Sequence, residues 1–290
     1  MVAYQHTEMT DRVRKVKKNV IYKTYAEGEK TKQPVAVCLE RARLVTDSFK
    51  NTEGEPMVLR RAKALSNILE NMTLYIEPGQ LIVGNFASDP NAFNFFPEVY
   101  SPWMENVFEN EYKEMLDDAG RKEIKQIYEY WRTNCFGYKV EQILPSEFRE
   151  FFAKDPKAIY PVQYCGSSGA PIPNYEKLFE VGLRGIIDQA EAKLGVIMSP
   201  ENIKKLDGDG LTAYEDQVHF LKSVIITCRS AIQFAERYSD LALRMAKQET
   251  DSHRRNELEE IAEICSRVPA KPSMSFRDAL QSFYFIHLIT

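Results

Sequence analysis

The longest periodic stretch of the chain lies between Thr212 and Gln248, where apolar residues recur with a helical period. Read as one helix or as two in series, it commits the chain to a mostly helical body. The 290 residues suit one large domain or two smaller ones. With 44% hydrophobic and 28% charged residues, the composition is that of an ordinary soluble globular protein, long enough to bury a core without disulfides. The net charge of −4, with acids and bases mixed throughout, argues against a nucleic-acid or anionic-membrane partner, since either wants a one-signed basic face. The first residues carry no apolar signal-peptide core, and no run of about 18 apolar residues occurs.

Other elements follow from local signals. Thr10 can cap a basic helix through Lys18, either an anion-binding arm or a solvated face. A helix is expected from Pro34 to Phe49, with Val35, Leu39, Ala42, Val45 and Phe49 on one face. A turn over 51–56 separates it from a helix over Met57 to Asn71. Leu74–Ile76 and Leu81–Gly84, joined by a Pro78-Gly79 turn, read as two short extended pieces. Asn85 to Ser101 reads as a packed irregular loop, followed by helices over Pro102–Ala119 and Arg121–Cys135.

From Glu150 to Pro173, prolines and glycines break the pattern. Asn174 then caps a helix to Leu194, and Asp251 caps one that stops before Pro269. The last run, Phe276 onward, places Phe276, Ala279, Leu280 and Phe283 in the core and ends in mid-pattern, as an independent domain rarely does.

Generic chemical motifs are weak. Five scattered cysteines, none in CxxC spacing, signal neither zinc nor a redox dithiol, and reduced cytoplasmic thiols are expected. His6, His219, His253 and His287 have no metal-ligand spacing, and His287, within an apolar run, reads as a core histidine. Gly166-Ser167-Ser168-Gly169 and Gly208-Asp209-Gly210 lack phosphate-loop context and read as turns.

An ordered series of segments says more. It comprises Glu40-Arg41-Ala42-Arg43-Leu44, Thr52-Glu53-Gly54-Glu55-Pro56, Arg60-Arg61-Ala62-Lys63, Ile76 to Asn85, and Phe96-Pro97-Glu98. Asn174-Tyr175, Gly182-Leu183-Arg184-Gly185-Ile186-Ile187, Val268-Pro269-Ala270-Lys271-Pro272 and Phe276 to Gln281 continue it. The series resembles the start of the pyruvate formate-lyase-like glycyl radical enzymes, nearest the branch of glycerol and hydroxyproline dehydratases, arylacetate decarboxylases and choline lyase. Most of these residues read as scaffold, with Arg60, Arg61 and Lys63 pairing with acids.

The resemblance implies an α/β fold, the ten-stranded α/β barrel of these enzymes. Of this barrel the chain would supply a mostly α-helical amino-terminal portion with the first short strand or strands. Residues 1–150 would give outer helices and the first strand, and 151–290 a pocket loop and long helices. It also implies an anaerobic cytoplasmic homodimer that works on a small-molecule substrate after a radical S-adenosylmethionine activating enzyme installs a glycyl radical. That radical glycine and the thiyl cysteine belong to loops these 290 residues do not contain, because neither Cys135 nor Cys165 matches the Gly-Cys-x-Glu pattern. No catalytic residue, metal ligand or bound cofactor is therefore expected here, and the chain alone is expected to be inactive.

The resemblance places substrate contacts in the loop Tyr160–Asn174, at Tyr164, Cys165, Ser167, Ser168, Ala170 and Asn174. Ala170 falls where glycerol dehydratase carries a histidine and the hydroxyphenylacetate and isethionate enzymes an arginine. An alanine reads no polar group and leaves room. This points to a larger or less polar substrate group than glycerol, as in arylacetate decarboxylation or hydrocarbon addition to fumarate; mere packing of the loop is the competing reading. A different class, a non-catalytic helical remnant or subunit, stays open.

Overall fold

The computed structural model describes residues 36–90, 92–99, 117–154, 172–204 and 206–290. The apolar run ahead of Leu39 does not join the first helix. It forms β1 (Ala36–Cys38), and α1 spans Glu40–Asn51. The helix expected from Pro34 is thus corrected, since Ala36, Val37 and Cys38 pair in parallel with Ala92, Phe93 and Asn94 of β2 (Ala92–Asn94). That pairing also places a strand inside the loop expected over 85–101. Parallel strands need a long crossover, here formed by α1, α2 (Met57–Asn71) and the segment after it.

Leu74–Ile76 and Leu81–Gly84 are not strands. Gly79 turns the chain between them with φ 73°, and side chains from elsewhere hold the backbone of the turn and of Val83. The Arg254 guanidinium donates to the carbonyls of Gln80 at 3.1 Å and Glu77 at 3.2 Å. Downstream, α3 spans Asp118–Asn134, with Asp117 accepting from Gly120 N–H, so Ala119 opens this helix rather than closing an earlier one. Two short helices follow, α4 (Phe136–Ile143) and α5 (Ser146–Lys154), the latter running into the stretch read as irregular. The helices expected over 10–18 and 102–116 lie outside the described residues.

In the second half, α6 spans Tyr175–Ile197, α7 Pro200–Ile203 and α8 Gly208–Gln248. The 41 residues of α8, with neither Gly nor Pro after Gly210, form one helix about 60 Å long. Gly208 and Gly210, read as a turn, form its first turn, with Asp207 accepting from Gly210 N–H. Asp251 caps α9 (Ser252–Arg267), and Ser275 caps α10 (Phe276–Ile289).

The core has two clusters sharing α8. Phe234, Ala235, Tyr238 and Ala242 join α1, α2, α3, α9 and Phe285 in one. Leu221, Ile225, Cys228 and Ile232 join Leu178, Leu183 and Ile187 of α6 in the other. Trp131 sits at the heart of the first, its indole N–H donating to Thr46 Oγ1 at 2.8 Å and its ring against Phe49. Burying so large a ring with its polar edge satisfied fixes α3 against α1.

On α10 the expected core stripe is reversed. Phe276 is 84% exposed, and Leu280 and Phe283 are also exposed, while Asp278, Gln281, Ser282 and Phe285 are buried. His287, read as a core histidine, is exposed and stacks on Phe283 with ring centroids 5.6 Å apart. The polar residues can face inward because partners wait there, Arg267 for Asp278 and the Val83 backbone for Gln281.

Candidate functional site

Of the residues assigned to substrate contact, Tyr164, Cys165, Ser167, Ser168 and Ala170 lie outside the described residues. Asn174 is described, and it starts α6. Its Oδ1 accepts from Lys177 N–H at 3.0 Å and its carbonyl from Leu178 N–H at 3.1 Å. That cap meets the orphan donors of a first helical turn. The structure therefore shows where the carboxyl end of the 160–174 loop is anchored, and what holds the anchor.

The first half of α6 is tied to α10 and to the connection between α9 and α10. The Tyr175 ring meets Phe283 with centroids 4.9 Å apart, and Ser273 N–H donates to the Phe179 carbonyl at 3.0 Å. At Gly182 the helix breaks, with φ 64° and ψ 175°. The break frees the N–H groups of Leu183 and Arg184, which donate to Pro269 O at 2.8 Å and Ala270 O at 3.0 Å. Only glycine fits, because a Cβ there would lie 2.5 Å from Ala270 O and 2.8 Å from Lys271 Cα. Thus Gly182-Leu183-Arg184 and Val268-Pro269-Ala270, 86 positions apart, form one junction.

Two further contacts complete this frame. The Arg267 guanidinium donates to both carboxylate oxygens of fully buried Asp278, at 2.8 and 3.3 Å, while Met274 N–H donates to Oδ2 at 3.0 Å. Burial would raise the Asp278 carboxyl, but the Arg267 and Met274 bonds outweigh it and hold it below the usual carboxylate range. The Gln281 carboxamide grips the Val83 backbone, and a Cβ at Gly84 (φ 155°) would strike Leu288 and Tyr284 of α10. These bonds are why α10 buries its polar face.

A second polar frame holds the segment leading into residue 100. Arg41 pairs with Glu98 at 2.6 Å and lies 4.0 Å from the Phe96 ring centroid. Glu40 accepts from Thr73 N–H and Thr73 Oγ1 at 2.9 Å, and from the Ser88 hydroxyl. Burial pushes the Glu40 carboxyl up, but these bonds and nearby Arg43 carry it below its ordinary value. Carbonyls of Glu98 and Val99 in turn accept from the first N–H groups of α4.

Sequence reasoning treated Arg60, Arg61 and Lys63 alike, and the structure separates them. Lys63 pairs with Glu55 at 2.6 Å. Among the described residues Arg60 takes no acid. It donates to the Phe49 carbonyl at the end of α1 at 2.7 Å, to Tyr130 at 3.3 Å, and lies over the Phe49 ring. Arg61 is exposed. Arg237, not singled out from sequence, does for α2 what Arg60 does for α1, donating to the carbonyls of Leu69 and Met72.

Reactive chemistry is sparse among the described residues. No group of three His, Cys, Asp or Glu side chains is arranged to hold a metal ion. Burial pushes the Cys228 thiol up to about 11 and Cys265 up to about 12, so neither is an activated nucleophile. Cys135 caps α4 through its sulfur. Two open hollows flank α1, about 470 Å³ beside α2 and about 480 Å³ beside α3. Both mix acids with bases, and Lys63 and Arg43 there are already paired with Glu55 and Glu123. No described helix is long and apolar enough to cross a membrane.

Comparison with known proteins agrees with this frame. The pyruvate formate lyase-like family matches residues 9–290. Isethionate sulfite-lyase of Oleidesulfovibrio alaskensis is 31% identical over 267 residues, covering 87% of this chain and 31% of the relative. The glycerol-bound B12-independent glycerol dehydratase from Clostridium butyricum superposes with a TM-score of 0.75 at 34% identity, covering 86% of this chain and 31% of that one. A glycyl radical enzyme from Archaeoglobus fulgidus gives 0.73 at 28% identity, with coverages of 90% and 33%. The chain spans about a third of the length of the curated relatives it matches. With the match running through every segment of the frame, the chain belongs to the pyruvate formate lyase-like family.

Proposed function

We propose that the whole protein is a glycyl radical lyase that cleaves a C–C or C–X bond of a small molecule, losing carboxylate, water or another group. The observation that carries this reading is the continuous family match over residues 9–290, with relatives near 30% identity that are lyases and dehydratases. In this reading a thiyl radical, formed from a glycyl radical installed by a radical S-adenosylmethionine activating enzyme, takes hydrogen from substrate. Both radical centres would belong to the part of the polypeptide this chain does not match, within the ten-stranded barrel. Residues 1–150 would supply outer helices and the first strand, and 151–290 the pocket loop and its supports, in an anaerobic cytoplasmic homodimer.

The contribution of this chain is to orient and to shape. Asn174, Tyr175 and the Gly182 junction fix one end of the loop that carries Tyr164, Cys165, Ser167, Ser168 and Ala170. Alanine at 170 supports a substrate whose group at that corner is larger or less polar than a glycerol hydroxyl. Arylacetate decarboxylation fits this, as does addition of a hydrocarbon to fumarate by the same radical chemistry.

The test is electron paramagnetic resonance of the full-length protein after anaerobic activation, followed by a substrate screen. A glycyl-type doublet and turnover of an aryl or alkyl substrate are expected. Without a doublet the enzymatic reading fails, and a non-catalytic helical subunit takes its place.

A further inference from the structure

The hollow of about 470 Å³ between α1 and α2 collects polar groups that the fold leaves unused. Asp47, Ser48 and Asn51 of α1 line it from one side, and Ser66, Glu70 and Asn71 of α2 from the other. Ser48 is 7% exposed, yet its hydroxyl has no hydrogen-bond partner among the described residues. A helical serine can bond back to the carbonyl four residues earlier, as Thr46 does to Ala42 O at 2.5 Å. For Ser48 that carbonyl is Leu44 O, which accepts instead from Asn67 Nδ2 at 2.7 Å. The Asp47 carboxylate likewise takes no hydrogen bond or ion pair among the described residues. Glu70 accepts only from the Ser66 hydroxyl, and Asn71 spends its amide donor on Asn67, which leaves its oxygen free.

The nearby cations are already engaged. Lys63 donates to both oxygens of Glu55, Arg43 pairs with Glu123, and Arg237 is held by the carbonyls of Leu69 and Met72. What remains is a set of acceptors with two carboxylates, which disfavours an anion. No described group of three His, Cys, Asp or Glu side chains is arranged for a bare metal ion, and no aromatic ring lines the hollow to stack on a sugar. We propose that this hollow binds a linear aliphatic polyamine. Its ammonium groups donate to Asp47, Glu70 and the carboxamide oxygens, and the Ser48 hydroxyl oxygen accepts one further N–H. Lys63 and Glu70, both lining residues, stand seven positions apart on α2, about 10 Å along its axis, which suits a chain of two or three amines. The volume lies in the range of small-molecule sites. The inference does not rest on the reading of the protein as a lyase.

Isothermal titration calorimetry of spermidine into the unactivated full-length protein at low ionic strength tests this. One saturable site per chain is expected, weakened at least about tenfold in Asp47→Asn and in Glu70→Gln. Ser48→Ala should weaken it about threefold, and Glu180→Gln, which removes an exposed acid of α6, should leave it unchanged. Raising the salt to about 0.5 M should cost at least about tenfold, because the hollow is open to solvent. Asp47 and Glu70 are exposed, so their variants should melt with the wild type. Butylamine gives a reading that needs no variant: it reaches only one acid and should bind at least about tenfold more weakly than spermidine. Absence of saturable binding overturns the proposal, and so do wild-type affinities in both acid variants. An equal loss in Glu180→Gln means diffuse adsorption, and equal binding of butylamine means no bridging of the two acids; either result overturns it. A tetralysine peptide that binds at least about tenfold tighter than spermidine would give the hollow to a basic protein partner instead.

Discussion

The carboxamide of Gln281 grips both polar backbone atoms of Val83: Val83 N–H donates to Oε1 at 2.9 Å, and Nε2 donates to the Val83 carbonyl at 2.7 Å. A side chain thereby completes, for one residue, the pairing that a neighbouring strand would give. Both groups are buried, so Gln281→Ala leaves a donor and an acceptor unpaired and should cost about 3 kcal/mol. Gln281→Glu restores the size but sets a carboxylate against the Val83 carbonyl, and should not rescue. Urea denaturation of the three proteins checks both statements; equal midpoints would remove the clamp from the account.

Gly182 is required twice over, by its left-handed φ and by the 2.5 Å that a Cβ would leave to Ala270 O. Gly182→Ala should therefore destabilise by about 2–4 kcal/mol, more than Gly195→Ala, which sits in open space on the same helix. If both changes shift the denaturation midpoint alike, the junction between α6 and the α9–α10 connection carries little.

Asp278 gives the fold an acid-side weakness. Its folded carboxyl lies below the ordinary value of 3.8, so its contribution is complete above the unfolded value. It is lost as pH falls below about 4 toward the lower folded value. Asp278→Asn should weaken the protein at pH 7 and flatten the loss of stability between pH 5 and 3, read from denaturation midpoints across that range. Arg267→Ala, which leaves the carboxylate buried without its partner, should cost about 3 kcal/mol at pH 7.

Tyr238 donates to Asn85 Oδ1, while Asn85 Nδ2 donates to the carbonyls of Thr73 at 3.0 Å and Ala87 at 2.7 Å. Burial raises the Tyr238 phenol well above the usual tyrosine range, so in ultraviolet titration it should ionise after the exposed tyrosines. Tyr238→Phe strips one acceptor of its donor and should cost about 1–2 kcal/mol.

For the pocket loop, Ala170→Arg in the activated full-length protein should lower kcat/KM at least about a hundredfold while leaving the glycyl radical yield unchanged. An unchanged kcat/KM would return the loop to a packing role.

The parts legible in sequence were those set by neighbours within a few positions. The caps Asn174 and Asp251, and the ends of α2, follow from short-range hydrogen bonding and period. Pairing of Cys38 with Asn94 across 56 positions leaves no local mark, and the apolar spacing through β1 reads as helix. Likewise the grip of Arg237 on α2, or of Gln281 on Val83, joins a side chain to distant backbone, which no spacing encodes. The α10 stripe reads as core for another reason. Periodicity reports which face is apolar, not which face turns inward. The substrate loop was legible only through resemblance, because Ala170 and its serines carry no chemistry of their own to advertise a site.

One helix, α8, gives its amino-terminal half to one core and its carboxyl-terminal half to the other. Loosening either core removes a wall of the other, so the two should melt together in a single transition. The same sharing restricts inheritance. A recombination breakpoint within α8 would breach both cores at once, so this region is expected to pass between relatives whole.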